Sequence, residues 1–123
     1  MSAYEVVDAK FVESQIGKMP IVDVRDQLHF DTAHIPGAVE IRLDVAEMTS
    51  DPASELAEMF QDAGIAAGDA AIVYCGGAEH AKKACELLAQ QGYSQLKLYE
   101  GGMQDWQKDP ARPVETTNQS FVK

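Results

Sequence analysis

Ala70-Ala71-Ile72-Val73-Tyr74-Cys75-Gly76-Gly77-Ala78-Glu79-His80-Ala81 decides the fold of this chain. Its first five residues are an apolar run too short for a helix, which predicts a buried strand. Two glycines after Cys75 then turn the chain into a helix expected over about residues 79–91. Within that helix Ala81, Ala84, Cys85 and Leu88 recur at i, i+3, i+4 and i+7, a single apolar stripe. Gly92 stops it, and Gln95-Leu96-Lys97-Leu98-Tyr99 returns as a strand.

The same alternation extends in both directions. Glu5-Val6-Val7 is a short edge strand, and Asp8 caps a helix that runs to about Ile16 and ends at Gly17. Pro20-Ile21-Val22-Asp23-Val24 is a second buried strand, followed by a short helix over 27–33 with Leu28 and Phe30 offered for packing. His34-Ile35-Pro36-Gly37 is a turn, Ala38-Val39-Glu40-Ile41 a third short strand, and 54–63 a helix stopped by Gly64. Gly101-Gly102 opens a final short helix carrying Trp106. From Asp109 onward, Asp-Pro, Arg-Pro and polar residues predict a loosely packed tail. Strands alternating with helices imply an α/β fold whose parallel sheet is covered on both faces.

A length of 123 residues suits one domain. We divide it into a domain over 1–108 and a polar tail over 109–123. No apolar run approaches the ~20 residues that span a bilayer, and the N-terminus lacks a basic segment followed by an apolar one, so the expected location is the cytoplasm. Ten basic against twenty acidic residues give a net charge of −10, which repels a phosphate backbone and argues against nucleic acid. The acids are concentrated. Residues 40–69 hold eight of them against Arg42 alone, a net −7. That stretch is either a solvated helix face or a docking surface for a basic protein partner.

The two cysteines, Cys75 and Cys85, form neither a C-x-x-C pair nor a zinc-ligand pattern. Cys75 stands at the carboxyl end of the central strand, where open α/β sheets bind ligands. The turn that follows delivers it to a helix N-terminus, whose unpaired N–H groups favour a thiolate and can cradle an anion. That is a nucleophile's position, although a small buried cysteine closing a strand is the plainer alternative. Cys85 lies on the inward stripe, carried away from the loop by ~1.5 Å of rise per residue, and reads as core.

Four motifs together resemble the rhodanese-like family of single-domain sulfurtransferases. They are Ile21-Val22-Asp23-Val24-Arg25, His34-Ile35-Pro36-Gly37-Ala38, Val73-Tyr74-Cys75 with its loop through His80, and Tyr99-Glu100-Gly101-Gly102 followed by Trp106. The match covers about residues 4–108. The resemblance implies a five-stranded parallel central sheet with helices on both faces and Cys75 as the catalytic, persulfide-forming nucleophile. Gly76, Gly77, Ala78, Glu79 and His80 would form the substrate-binding loop, with Asp23 and Arg25 as supporting residues and no metal or organic cofactor. Donors would be thiosulfate, a persulfide or a polysulfide, and acceptors cyanide, a thiol or a protein.

The chain departs from the family in that loop. Many active relatives carry Gly at the position of Ala78, Arg at His80 and Ser or Thr at Ala81. A guanidinium grips an oxyanion with two bonds and an imidazole does not, so thiosulfate is expected to be a poor donor. Glu79 either repels anions from the pocket or simply favours the helix N-terminus. His80 is a candidate proton donor. A phosphatase or arsenate reductase reading fails, because those loops place Arg six positions after Cys, where this chain has Ala81. Asp23 and Arg25 are expected to organise neighbouring loops, His34 to cap a turn, and Gly101-Gly102 to let the backbone pass close to the active loop. Two other function classes stay open at this point. One is a non-catalytic binding or regulatory module, and the other a redox sensor based on Cys75 sulfenic acid.

Overall fold

A computed structural model describes residues 4–117. Five strands form one sheet: β1 (Tyr4–Val7), β2 (Ile21–Asp23), β3 (Val39–Glu40), β4 (Ala71–Tyr74) and β5 (Leu96–Tyr99). All pairings are parallel, in the order β1-β5-β4-β2-β3, so β4 is central and β1 lies at an edge. Six helices connect them: α1 (Ala9–Gln15), α2 (Gln27–Thr32), α3 (Leu43–Glu47), α4 (Pro52–Asp62), α5 (Glu79–Ala89) and α6 (Gly102–Trp106).

The helix starts follow from capping chemistry. Asp8, Asp26 and Asp51 each accept a backbone N–H three residues on, from Phe11, His29 and Ser54. Pro52 follows Asp51 in the first turn of α4, where its missing N–H costs nothing. This moves the start of α4 two residues ahead of the expected Ser54. The five-residue α3 was not foreseen, because one turn and a half is too short to show a helical period.

Side chains alternate across β4. Ala71, Val73 and Cys75 face a cluster with Leu43, Leu56, Phe60, Ala81, Ala84, Cys85 and Leu88, which is the α3–α4–α5 side. Ile72 and Tyr74 face the opposite cluster with Val12, Phe30, Met103 and Trp106, the α1–α2–α6 side. Both faces of the sheet are therefore covered, and the apolar stripe of α5 is fully buried.

Two expectations are corrected. Phe30 packs into the core, but Leu28 is 74% exposed, because in a six-residue helix the two cannot share the inward face. From Asp109 to Thr117 the chain is exposed at all positions but Arg112, as a tail would be, yet it is tied down at several points. The Trp106 indole N–H donates to the Pro113 carbonyl at 2.8 Å, and the Arg112 guanidinium lies 5.7 Å over the indole. His34 and Glu115 exchange both backbone hydrogen bonds, at 2.9 and 2.8 Å, and Thr117 bonds Asp31. The rest of the expected tail, residues 118–123, lies outside the described residues.

Candidate active site

The site is built at the carboxyl ends of the strands. Cys75 follows β4, and its thiol accepts the Ala81 N–H of α5 at 3.3 Å. Ala78, at the N-cap of α5, supplies no side-chain acceptor, so the sulfur takes the place a serine or aspartate usually holds. The loop is stapled from behind by α6: Met103 N–H donates to the Cys75 carbonyl and Gln104 N–H to the Gly76 carbonyl, both at 2.9 Å. Gly102 makes this approach possible. Its φ is +63°, and a Cβ there would stand 2.4, 2.5 and 2.7 Å from the carbonyl oxygens of Cys75, Gly77 and Gly76. The expectation for Gly101-Gly102 thus holds at Gly102, for a steric reason.

A cavity of about 490 Å³ opens over the loop. Gly76, Gly77 and His80 line it, together with Arg25, Asp26 and His29 from the segment after β2, Asp44 and Glu47 of α3, and Gln104 and Gln107 at α6. Cys75 itself is 1% exposed and is not among the cavity-lining residues; it packs with the core beside Gly76, which is. Ala78 and Glu79, named in the expected loop, are not among the cavity-lining residues. Glu79 is exposed in the first turn of α5, where its charge complements the helix dipole. The residues missed from sequence, Asp26, His29, Asp44, Glu47, Gln104 and Gln107, share one signal. Each lies in the segment that follows a strand's carboxyl end, the rim on which such sheets bind ligands.

Electrostatics divide this cavity between spent and available charge. Asp23 is fully buried and holds Arg25 through Nε and Nη2, with contacts of 2.7–3.0 Å. Arg25 Nη2 also donates to the Ala33 carbonyl at 2.7 Å, and Asp23 Oδ1 accepts the Arg25 backbone N–H at 2.9 Å. Burial works to lower the Arg25 pKa, but the Asp23 carboxylate outweighs it, so the guanidinium is held above its ordinary value. The pair ties the β2 loop to the C-terminal end of α2, an organising role of the kind expected, and leaves Arg25 little free capacity. At the rim, the His29 backbone N–H and imidazole both bond Asp26 and hold its carboxyl below the usual range. Arg42 does the same for Asp44 from outside the lining, and Lys83 pairs with Glu47.

The remaining motif residues have structural surroundings. His34 is buried, stacks on Phe30 with ring centroids 3.9 Å apart, and bonds the Phe30 carbonyl through Nδ1 at 2.8 Å. Trp106 is fully buried. Cys85 is buried in the α5 core, and desolvation pushes its thiol up to about 12. Among the described residues no helix is long and apolar enough to cross a membrane.

Comparison with known proteins bears on this arrangement. Over residues 8–109 the chain matches the model of the rhodanese-like domain. A thiosulfate:glutathione sulfurtransferase of Saccharomyces cerevisiae is 31% identical over 91 residues, which are 70% of this chain and 63% of that protein. A tRNA uridine(34) hydroxylase of Staphylococcus carnosus is 29% identical over 90 residues, 73% of this chain and 26% of that protein. The chain thus spans a quarter to somewhat under two thirds of these relatives. Among solved structures, the rhodanese-like domain of the Anabaena sp. Alr3790 protein superposes with a TM-score of 0.72 at 21% identity, covering 100% of this chain and 89% of that one. EanB carrying ergothioneine covalently linked to a persulfide cysteine superposes with a TM-score of 0.77 at 19% identity, over 92% of this chain and 28% of EanB. With sheet order, strand-end cysteine and family match in agreement, this chain belongs to the rhodanese-like domain family.

Proposed function

We propose that the protein is a sulfurtransferase that carries sulfane sulfur as a persulfide on Cys75. The observation that carries this reading is the placement of the Cys75 thiol. It follows the central strand, accepts the Ala81 N–H, and directly precedes the two glycines that line the cavity. The thiolate attacks the outer sulfur of a donor R–S–SH. The donor's S–S bond breaks, RS⁻ leaves, and Cys75 becomes a persulfide. An acceptor thiolate then attacks the terminal sulfur and Cys75 departs as thiolate, so no net oxidation occurs. The helix N-terminus stabilises the anion at each stage by fixed dipoles.

The lining supports persulfides over thiosulfate as donors. Among the described residues Arg25 is its sole Lys or Arg, and that guanidinium is committed to Asp23. A dianion therefore meets carboxylates without a free cation to grip it. The yeast relative acts between thiosulfate and glutathione, and a small thiol of that class fits the same chemistry here as acceptor.

The intact mass of the purified protein after separate exposure to thiosulfate, a polysulfide and a persulfide donor tests the proposal. The expected result is a gain of one sulfur atom that is removed by cyanide or excess thiol. It should be abolished in Cys75→Ser and retained in Cys85→Ala. Equal loss from both substitutions would refute the one-cysteine mechanism. No gain from any donor, with Cys75 reduced and the protein folded, would favour the non-catalytic binding module. The near-complete burial of the thiol is the observation on that side.

A further inference from the structure

Beyond the sulfur-carrying cysteine, one wall of the cavity differs from what a small thiol needs. We propose that the cavity mouth is a docking surface for a basic, cysteine-bearing protein segment, which takes the sulfur from Cys75. The proposal rests on the persulfide reading of that residue and names its partner.

Two short stretches form the wall. The β2–α2 segment contributes Asp26 and His29 to the lining, and between them Leu28 points into solvent at 74% exposure. Helix α3 contributes Asp44 and Glu47, followed directly by Met48 at 85% exposure. Two of the six large, exposed apolar side chains among the described residues, including the two most exposed, therefore stand beside this rim. Isolated exposed apolar residues need no explanation, but apolar side chains interleaved with carboxylates beside a reactive cavity form an interface pattern. Met48 adds an unbranched, adaptable contact of the kind that accommodates varied partners.

Charge selects the occupant. The lining holds three carboxylates, and its one guanidinium is spent on the buried Asp23. Asp44 and Glu47 are paired with Arg42 and Lys83, but these pairs lie in contact with solvent, where the attraction is weak. An incoming lysine or arginine can exchange with them at little cost. The surrounding segment 40–69 carries a net −7, which steers a basic partner toward this side and repels an acidic one. The acids of α4 are absent from the cavity lining, so of the acidic stretch only its first part touches the site. A small thiol would use the cavity and leave Leu28 and Met48 uncovered, whereas a polypeptide covers both.

The transfer itself is a thiol–persulfide exchange. The partner's cysteine thiolate attacks the terminal sulfur of the Cys75 persulfide. The Cys75 S–S bond breaks, and Cys75 leaves as thiolate and takes up the proton given up by the partner's thiol.

The test uses the full chain loaded with one sulfur atom, verified by intact mass. It is mixed with two cysteine peptides of equal length, one flanked by Lys, Arg and Leu and the other by Glu, Asp and Leu, and with glutathione. The expected single-turnover rate is about tenfold higher for the basic peptide than for the acidic one at low salt, and the ratio falls as ionic strength rises. In Asp44→Asn/Glu47→Gln the ratio should fall to about threefold or less, and in Leu28→Ser/Met48→Ser both peptides should slow while glutathione does not. Equal rates for the two peptides, a ratio unchanged by the charge-removing pair, or glutathione as fast as the basic peptide would overturn the docking proposal. Failure of Cys75 to load at all is a separate result that overturns the persulfide reading, and the docking proposal with it.

Discussion

Replacing Gly102 with alanine tests how the active loop is held. At φ +63° an alanine loses roughly 1–2 kcal/mol against glycine, because Cβ crowds its own backbone. A second cost comes from outside the residue. The added carbon would lie 2.4–2.7 Å from three carbonyl oxygens of the Cys75-Gly76-Gly77 loop, so that backbone has to move. Overpacking of this kind adds ~1–3 kcal/mol, for a total of about 2–5 kcal/mol. Gly64→Ala is the control. Its φ is +87° with nothing within 4 Å of the built Cβ, so it bears the first cost alone, about 1–2 kcal/mol. At about 4 °C per kcal/mol for a domain of this size, the expected loss of Tm is roughly 8–20 °C for Gly102→Ala and roughly 4–8 °C for Gly64→Ala. Urea unfolding followed by circular dichroism supplies the free energies. Sulfur loading at a temperature where both variants are folded should fall only in Gly102→Ala, because the carbonyls that bond Met103 and Gln104 are displaced. If the two variants lose stability equally, within about 0.5 kcal/mol, and load sulfur equally, the loop is not braced by this contact.

Three further outcomes are expected. Asp23→Ala should destabilise the fold by about 3–5 kcal/mol, measured by urea unfolding, because it leaves the Arg25 guanidinium half-buried without its partner; a loss under about 1 kcal/mol would contradict the pairing. Glu40 is desolvated, lies among Asp31, Asp23 and Asp26, and has one oxygen, Oε2, without a hydrogen-bond partner among the described residues, so its pKa is raised. The folded state then holds that proton more tightly than the unfolded chain, and stability falls as pH rises from the ordinary carboxylate range through the raised value. Glu40→Gln should therefore raise Tm at pH 7 and lose that gain in acid, and a gain independent of pH would exclude this cause. Cys85, with its thiol pushed up to about 12 in the α5 core, should resist iodoacetamide at pH 8 in the folded protein and react once unfolded, as read by peptide mass.

Much of the fold was legible because its signals are local. The apolar run of β4, the stripe of Ala81, Ala84, Cys85 and Leu88, and the Asp8 cap each act within a few residues, and the structure reproduces all three. Motif spacing carried the family. The misreadings lie where locality fails. Leu28 and Phe30 both looked available for packing, and only the orientation of α2 on the sheet decided that one of them is buried. Residues 109–117 looked like a loose polar tail, yet they are tied to Trp106 close by and to His34 and Asp31, two groups too distant in sequence to be seen as partners.

The sequence by itself determined the alternation of strands and helices, the position of Cys75 at a strand end and the excess of acid, because each depends on residue type and short-range period. Only the tertiary structure decided what surrounds that cysteine. It brought Asp26, Asp44 and Glu47 to one rim, committed Arg25 to Asp23, and pressed Gly102 against the active loop. A parallel sheet gathers the segments after several strands at a single edge, so the composition of that edge is a sum over distant parts of the chain that no local pattern records.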